Sequence, residues 1–279
     1  MKGAVAIALA MAVWSSWGVA LRGLPLPAYA VTFWVSAVAA GAAGVAWAVL
    51  RPPAPAFPRG FLAVGAMGAL FLLNQWTFFA AYQRTTMAGA VLTHYIAPVL
   101  VAATAPVVLR ERPVPGLPLA VGTAAVGLAL LLPGGSGGGG GTNLQGLALG
   151  TASGVFYAGL ILLAGAVTLR AHPIPIVAVQ HLVVAAALAP WALRVTLTGH
   201  DTRILLSLGL VHGAGAGLLY LAGIRRTGAQ IAALLGYLEP VGAVAWGWAL
   251  FGEGLGPRGW VGGILILGSG LWAATRRFH

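Results

Sequence analysis

Glu239 is a carboxylate in the middle of an apolar run. A charged acid buried in a bilayer costs about 2.5–3.5 kcal/mol, the figure for Asp, so it must be protonated, paired or in water. That makes it a candidate for proton coupling. His94 sits in a second run, and Asn74 and Gln75 fall at matching depth in the run before it. If those two stretches are antiparallel neighbours, the three side chains form one polar cluster beside a cavity, with His94 a second candidate for moving a proton. Tyr95 and Tyr237 stand three residues before Pro98 and Pro240, and each can offer a ring face and a hydroxyl to a solute. Trp17, Trp76, Tyr157 and Tyr220 also lie inside apolar runs, as do Trp14 and Trp246. A cavity walled by rings and poor in fixed charge suits neutral, zwitterionic or cationic organic solutes, held by stacking and cation–π contact. His181 beside Gln180, and His212, read as satisfied core groups.

The sequence holds no HExxH pair, no histidines at metal spacing, no nucleotide-binding loop and no G-x-S-x-G. It therefore assigns no catalytic residue, no metal and no cofactor. An enzyme acting on lipid-linked substrates would need an acid/base or metal constellation, and a receptor or assembly subunit has no need of paired proline kinks. Both remain alternatives to movement of a small-molecule solute across a membrane.

The elements that position these residues are membrane helices. Hydrophobic residues make up 59% of the 279 positions and charged residues 7%, against roughly 25% charge in soluble domains. A bilayer core needs about 20 apolar residues per helix. Apolar runs and their breakers give ten spans, near 3–21, 28–50, 60–82, 87–109, 116–133, 145–169, 173–194, 204–224, 229–251 and 258–275. The first run, after Met1 and Lys2, reads as a retained span rather than a cleaved leader. Net charge is +11, but Lys and Arg sit singly or in pairs at span ends, which points to lipid headgroups and away from nucleic acid. Alternate threading places Lys2, Arg51, Arg59, Arg110, Arg112, Arg170, Arg225, Arg226, Arg276 and Arg277 on one side and Arg22, Arg84, Arg194, Arg203 and Arg258 on the other. By the positive-inside rule the first side is cytoplasmic, which puts both termini inside a multi-pass inner (cytoplasmic) membrane protein. The chain has no Cys.

A shift of 142 residues aligns Phe78–Glu111 with Tyr220–Glu253 without a gap. Ala80/Ala222, Arg84/Arg226, Thr85/Thr227, Ala90/Ala232, Leu92/Leu234, Tyr95/Tyr237, Pro98/Pro240, Val99/Val241, Ala103/Ala245 and Glu111/Glu253 are identical, more than the roughly three or four that this composition yields by accident. The expected fold is all-α and integral to the membrane: ten transmembrane helices as two inverted five-helix repeats. Residues 1–133 form the first repeat, 134–143 a Gly-rich periplasmic linker containing Gly134–Gly141, and 144–279 the second repeat. Pro98 and Pro240 fall at mid-membrane and each removes a backbone donor, which should free the carbonyls of His94 and Gly236 to line a site. An ideal helix sets Glu239 200° from Tyr237, among Leu235, Gly236, Gly242 and Ala243. Glu239 is thus expected off the cavity axis, packed on a neighbouring helix. Glu111 and Glu253, at span ends, read as structural.

Tyr95-Ile96-Ala97-Pro98-Val99 with Arg110-Glu111, and Leu238-Glu239-Pro240-Val241 with Gly252-Glu253 and Trp260-Val261-Gly262-Gly263-Ile264-Leu265-Ile266-Leu267-Gly268, carry a family resemblance. On these motifs, and Trp14-Ser15-Ser16, the full chain resembles the drug/metabolite transporter superfamily, EamA type. The resemblance implies ten helices around a central cavity and export of small metabolites, commonly amino acids, by alternating access. Val13-Trp14-Ser15-Ser16 with Leu21-Arg22-Gly23, and Ala273-Ala274-Thr275-Arg276-Arg277, are similar to bacterial aromatic-amino-acid exporters within it. The two halves differ at Ala97 against Glu239 and at His94 against Gly236.

Overall fold

A computed structural model describes residues 2–21, 24–56, 58–85, 87–131, 143–252 and 256–276. The linker Gly134–Gly141, and Arg22, Glu253 and Arg277, lie outside the described residues. Ten helical spans follow in order: α1 (Lys2–Trp14, continued as Trp17–Leu21), α2 (Ala28–Leu50), α3 (Arg59–Tyr82), α4 (Met87–His94, continued as Ala97–Val108) and α5 (Leu117–Leu131). The second set is α6 (Leu144–Thr168), α7 (Pro173–Ala192), α8 (Gly199–Thr227), α9 (Ala229–Leu235, continued as Leu238–Phe251) and α10 (Pro257–Arg276). Among the described residues, eight of these are long and apolar enough to cross a membrane, and α5 is a shorter apolar helix.

Span edges follow local chemistry. Asn143 caps α6 by accepting from the Gln145 amide, and His172 with Pro173 opens α7. The start of α8 differs from expectation by five residues, because Thr198 and Asp201 form a reciprocal capping box that draws polar Gly199–Arg203 into the first turn. Gly228, at φ +80°, makes the tight turn from α8 into α9.

The packing repeats itself about a pseudo-two-fold relation. The extensive α3–α6 contact has its counterpart in α8–α1, α4–α6 in α9–α1, and α3–α7 in α8–α2, while α2–α7, α4–α9 and α5–α10 each pair a helix with its own equivalent. Five helices per unit is an odd number, so equivalent helices run in opposite directions and the repeats are inverted. Helix ends agree: Gly3 lies against Arg226 and Thr227 on one face, and Gly146 lies against Arg84 and Thr85 on the other.

Four spans are interrupted. α4 and α9 break at Tyr95–Ile96 and Gly236–Tyr237, one turn before Pro98 and Pro240. α1 breaks at Ser15–Ser16 without proline, and α8 widens to a π-helix over Gly209–Gly215. Their equivalents in α6 and α3 are continuous.

Candidate functional site

The two broken helices meet. The Tyr95 and Tyr237 rings stack with centroids 5.6 Å apart at 28°, and the Tyr237 hydroxyl donates to the Tyr95 carbonyl at 2.9 Å. The break in α4 thus gives one backbone acceptor to the opposite repeat. The expected free carbonyls are a different pair. The Gly236 carbonyl accepts from the Glu239 amide at 3.1 Å, because the chain tightens into a single i→i+3 turn there. The His94 carbonyl instead faces α6 so closely that a Cβ at Gly154 would stand 2.7 Å from it. Tyr95 and Tyr237 are both buried.

His94 is placed by α6. Its Nδ1 lies 2.9 Å from the Ser153 hydroxyl, while the Asn74 amide donates to the Ser153 hydroxyl and carbonyl at 3.0 and 3.1 Å. The Ser153 hydroxyl donates to the Asn74 carbonyl at 3.0 Å, so its oxygen is left to accept from both Asn74 and the His94 Nδ1–H. Asn74 and His94 therefore meet on Ser153, which sequence reasoning missed. A lone serine in a run of small residues carries no signal until the helices are packed. The His94 ring lies between Phe78 at 4.4 Å and Tyr157 at 5.0 Å, nearly parallel to the latter at 13°. It meets Tyr95 edge-on at 5.2 Å. Gln75 is partly buried beside Asn74, whereas Trp76, next on α3, is 71% exposed on the outer surface, away from these rings.

Glu239 joins the rings instead of leaving them. Tyr95 donates a hydrogen bond to its carboxylate, and Tyr157 and Tyr220 lie near enough to feel its charge. Gly236 and Tyr237 keep right-handed helical backbone angles through the turn (φ −56°, ψ −30° and φ −64°, ψ −11°), so Glu239 meets Tyr95 on a different face of α9 from Tyr237. Tyr220 packs on Trp14 at 5.3 Å, and its buried hydroxyl has no hydrogen-bond partner among the described residues.

A second polar contact occupies the α1 break. Trp14 donates to the His212 carbonyl at 2.9 Å, Ser16 lies 3.0 Å from the His212 Nε2, and Trp17 packs on the His212 ring at 5.0 Å. His181 pairs with Ser36 at 3.2 Å inside the α2–α7 contact. At the end of α4, Glu111 accepts from the Ala229 amide at 2.7 Å and the Gln230 amide at 3.3 Å, capping α9 across the repeats. The Gln230 side chain donates to the Arg112 carbonyl and accepts from the Val114 amide. The clefts at the α2 and α3 ends, beside Trp47 and Arg51 and beside Phe61 and Val183, lie apart from these residues. Among the described residues no three His, Cys, Asp or Glu side chains gather as a metal site would require.

Inverted five-helix units whose broken helices meet at a ring-lined centre define a membrane transporter of small molecules. The chain belongs to the EamA-like transporter family, whose pattern matches twice, at residues 1–132 and 144–275. No curated protein matches it. A crystal structure described only as that of a protein shares the fold, with a TM-score of 0.82 at 20% identity over 99% of this chain and 97% of its own.

Proposed function

We propose that this chain is a secondary transporter that exports small organic metabolites, amino acids and their relatives first among them, by alternating access around the Tyr95–Tyr237 stack. It works in the inner membrane with both termini cytoplasmic, as units 1–133 and 144–279 joined by the Gly-rich segment 134–143. The observation that carries this reading is the meeting of two equivalent half-helices from opposite repeats at that stack. Contacts between half-helices can be exchanged without unfolding either helix, which is what a rocking of one repeat against the other requires.

The solute site takes in Tyr95, Tyr237, His94, Asn74, Gln75, Tyr157 and Tyr220, with Trp17 on the path at the α1 break. Trp76 is left out because it faces outward. Glu239 is the proposed proton carrier, with His94 second. The two halves of α9 support the cycle. All of Ala229–Leu235 is buried and capped by Glu111, whereas Leu238–Phe251 buries only Pro240 and Gly247. One end of the pathway is sealed while the other half-helix is loosely held.

Uptake into proteoliposomes of a panel of amino acids, amines and sugars, with and without a pH gradient, tests the proposal. Saturable uptake accelerated by the gradient is expected. Rates equal to those of empty liposomes for the whole panel would overturn it.

A further inference from the structure

We infer that Glu239 and the tyrosines around it recognise the ammonium group of an organic cation, so that amines and carboxyl-blocked amino acids are taken in preference to free, zwitterionic amino acids. The inference rests on the transport reading and shifts its substrate class from free amino acids to their amine and carboxyl-blocked relatives.

The charge inventory of the interior is one-sided. Every described Lys and Arg side chain is exposed, at or beyond a helix end, and none reaches the centre of the bundle. Glu239 sits in that centre, partly buried, with a neutral hydroxyl from Tyr95 as its hydrogen-bond donor. A carboxylate so placed is stabilised by a proton or by a mobile cation, since the fold supplies no fixed one among the described residues. The rings fit the second partner. Tyr95 on α4 is the hydrogen-bond partner of Glu239, Tyr157 on α6 and Tyr220 on α8 lie within electrostatic range of it, and aromatic rings attract ammonium groups most strongly where water is scarce.

Two further observations point to a ligand. The Tyr220 hydroxyl is buried, 7% of the residue being exposed, and has no hydrogen-bond partner among the described residues. It can accept from an N–H that Glu239 also holds. The repeat places Ala97 where α9 has Glu239, so the carboxylate serves no symmetric scaffold role and gives the site a single charged end. Among the described residues the other titratable groups at these rings are Tyr237, whose hydroxyl donates to the Tyr95 carbonyl, and His94, whose Nδ1 is committed to Ser153 and whose ring faces are covered by Phe78 and Tyr157. The carboxylate of a free amino acid would therefore enter without a fixed positive partner, and a blocked or absent carboxyl removes that cost.

The test is binding of 2-phenylethylamine, phenylalanine amide and phenylalanine to the full chain in lipid nanodiscs, by calorimetry, with thermal melting as the folding control. The amine and the amide should bind about tenfold or more tighter than phenylalanine. Glu239→Gln should weaken amine binding about tenfold and erase the preference while the melting temperature holds. Equal affinity for phenylalanine and its amide, or unchanged amine binding in Glu239→Gln, overturns the inference. If Glu239→Gln does not fold, Tyr157→Leu and Tyr220→Leu decide: weaker amine binding in both supports the ring cage, and unchanged binding in both rejects it. Flux of neutral solutes in liposomes without any ammonium binding would reject this inference and leave transport standing. Ammonium binding without flux of any solute would do the reverse.

Discussion

The two repeats place the same device at the centre of the molecule and then load it differently. In both, a helix breaks one turn before a mid-span proline and presents a tyrosine to its counterpart. Around Tyr95 the first repeat adds a polar hub: His94 enters between Phe78 and Tyr157 and is fixed through Ser153 to Asn74. At the equivalent place the second repeat has Gly236, and Tyr220, the equivalent of Phe78, packs on Trp14 with centroids 5.3 Å apart. The second repeat adds Glu239 where the first has Ala97. Duplication thus builds a symmetric frame, and the copies differ in the polar groups they set around it. One side is a satisfied neutral network. The other is a carboxylate facing hydroxyls.

The comparison breaks most readily at Ser153. Leucine there would force volume into a position with no exposure and strip hydrogen bonds from Asn74 and His94. Ser153→Leu should cost about 3–5 kcal/mol, read as a large drop in melting temperature in detergent. A melting point unchanged from wild type would mean that the hub does not hold α3, α4 and α6 together.

A smaller effect separates the two tyrosines. Tyr237→Phe loses a buried hydrogen bond to the Tyr95 carbonyl and should cost about 1 kcal/mol, with transport affected in proportion to folded protein. Tyr95→Phe keeps the stacked ring but releases Glu239, so it should change the pH-gradient dependence of uptake more than the melting temperature. If the two variants gave the same pattern, the assigned asymmetry would fail. The smallest effect is expected at the Glu111 clasp. Glu111→Gln keeps an acceptor for the Ala229 amide but turns an NH2 toward the Gln230 donors and loses a charge at the start of α9, a cost of about 0.5–1 kcal/mol in melting experiments.

Much of this architecture can be read before packing is known. Apolar runs mark the ten spans because a bilayer fixes helix length, and Pro98 and Pro240 mark the breaks because proline lacks a donor. Tyr95 and Tyr237 are marked by the repeat. Other features depend on contacts between distant segments. Ser153 matters only because α3 and α4 both lie on α6, and Glu111 reaches Ala229 across 118 residues. The closeness of Glu239 to Tyr95 depends on how α4 and α9 pack, which a helical wheel of one span does not give. The early start of α8 was hidden because His200, Asp201 and Arg203 read as loop, although Thr198 and Asp201 carry the spacing of a capping box. The π-helix at Gly209–Gly215 has no proline to announce it.

The most direct test asks whether the Tyr95–Tyr237 centre opens in turn to both sides of the membrane. The chain has no Cys, so a single Val241→Cys, next to Pro240 in the loosely held half of α9, gives a background-free probe. Protein in sealed liposomes would be treated with a membrane-impermeant thiol reagent from outside or inside, with orientation scored on each molecule. Alternating access predicts labelling from either face, slowed from both by a transported solute. Labelling from one face alone, unaffected by any transported solute, would contradict it.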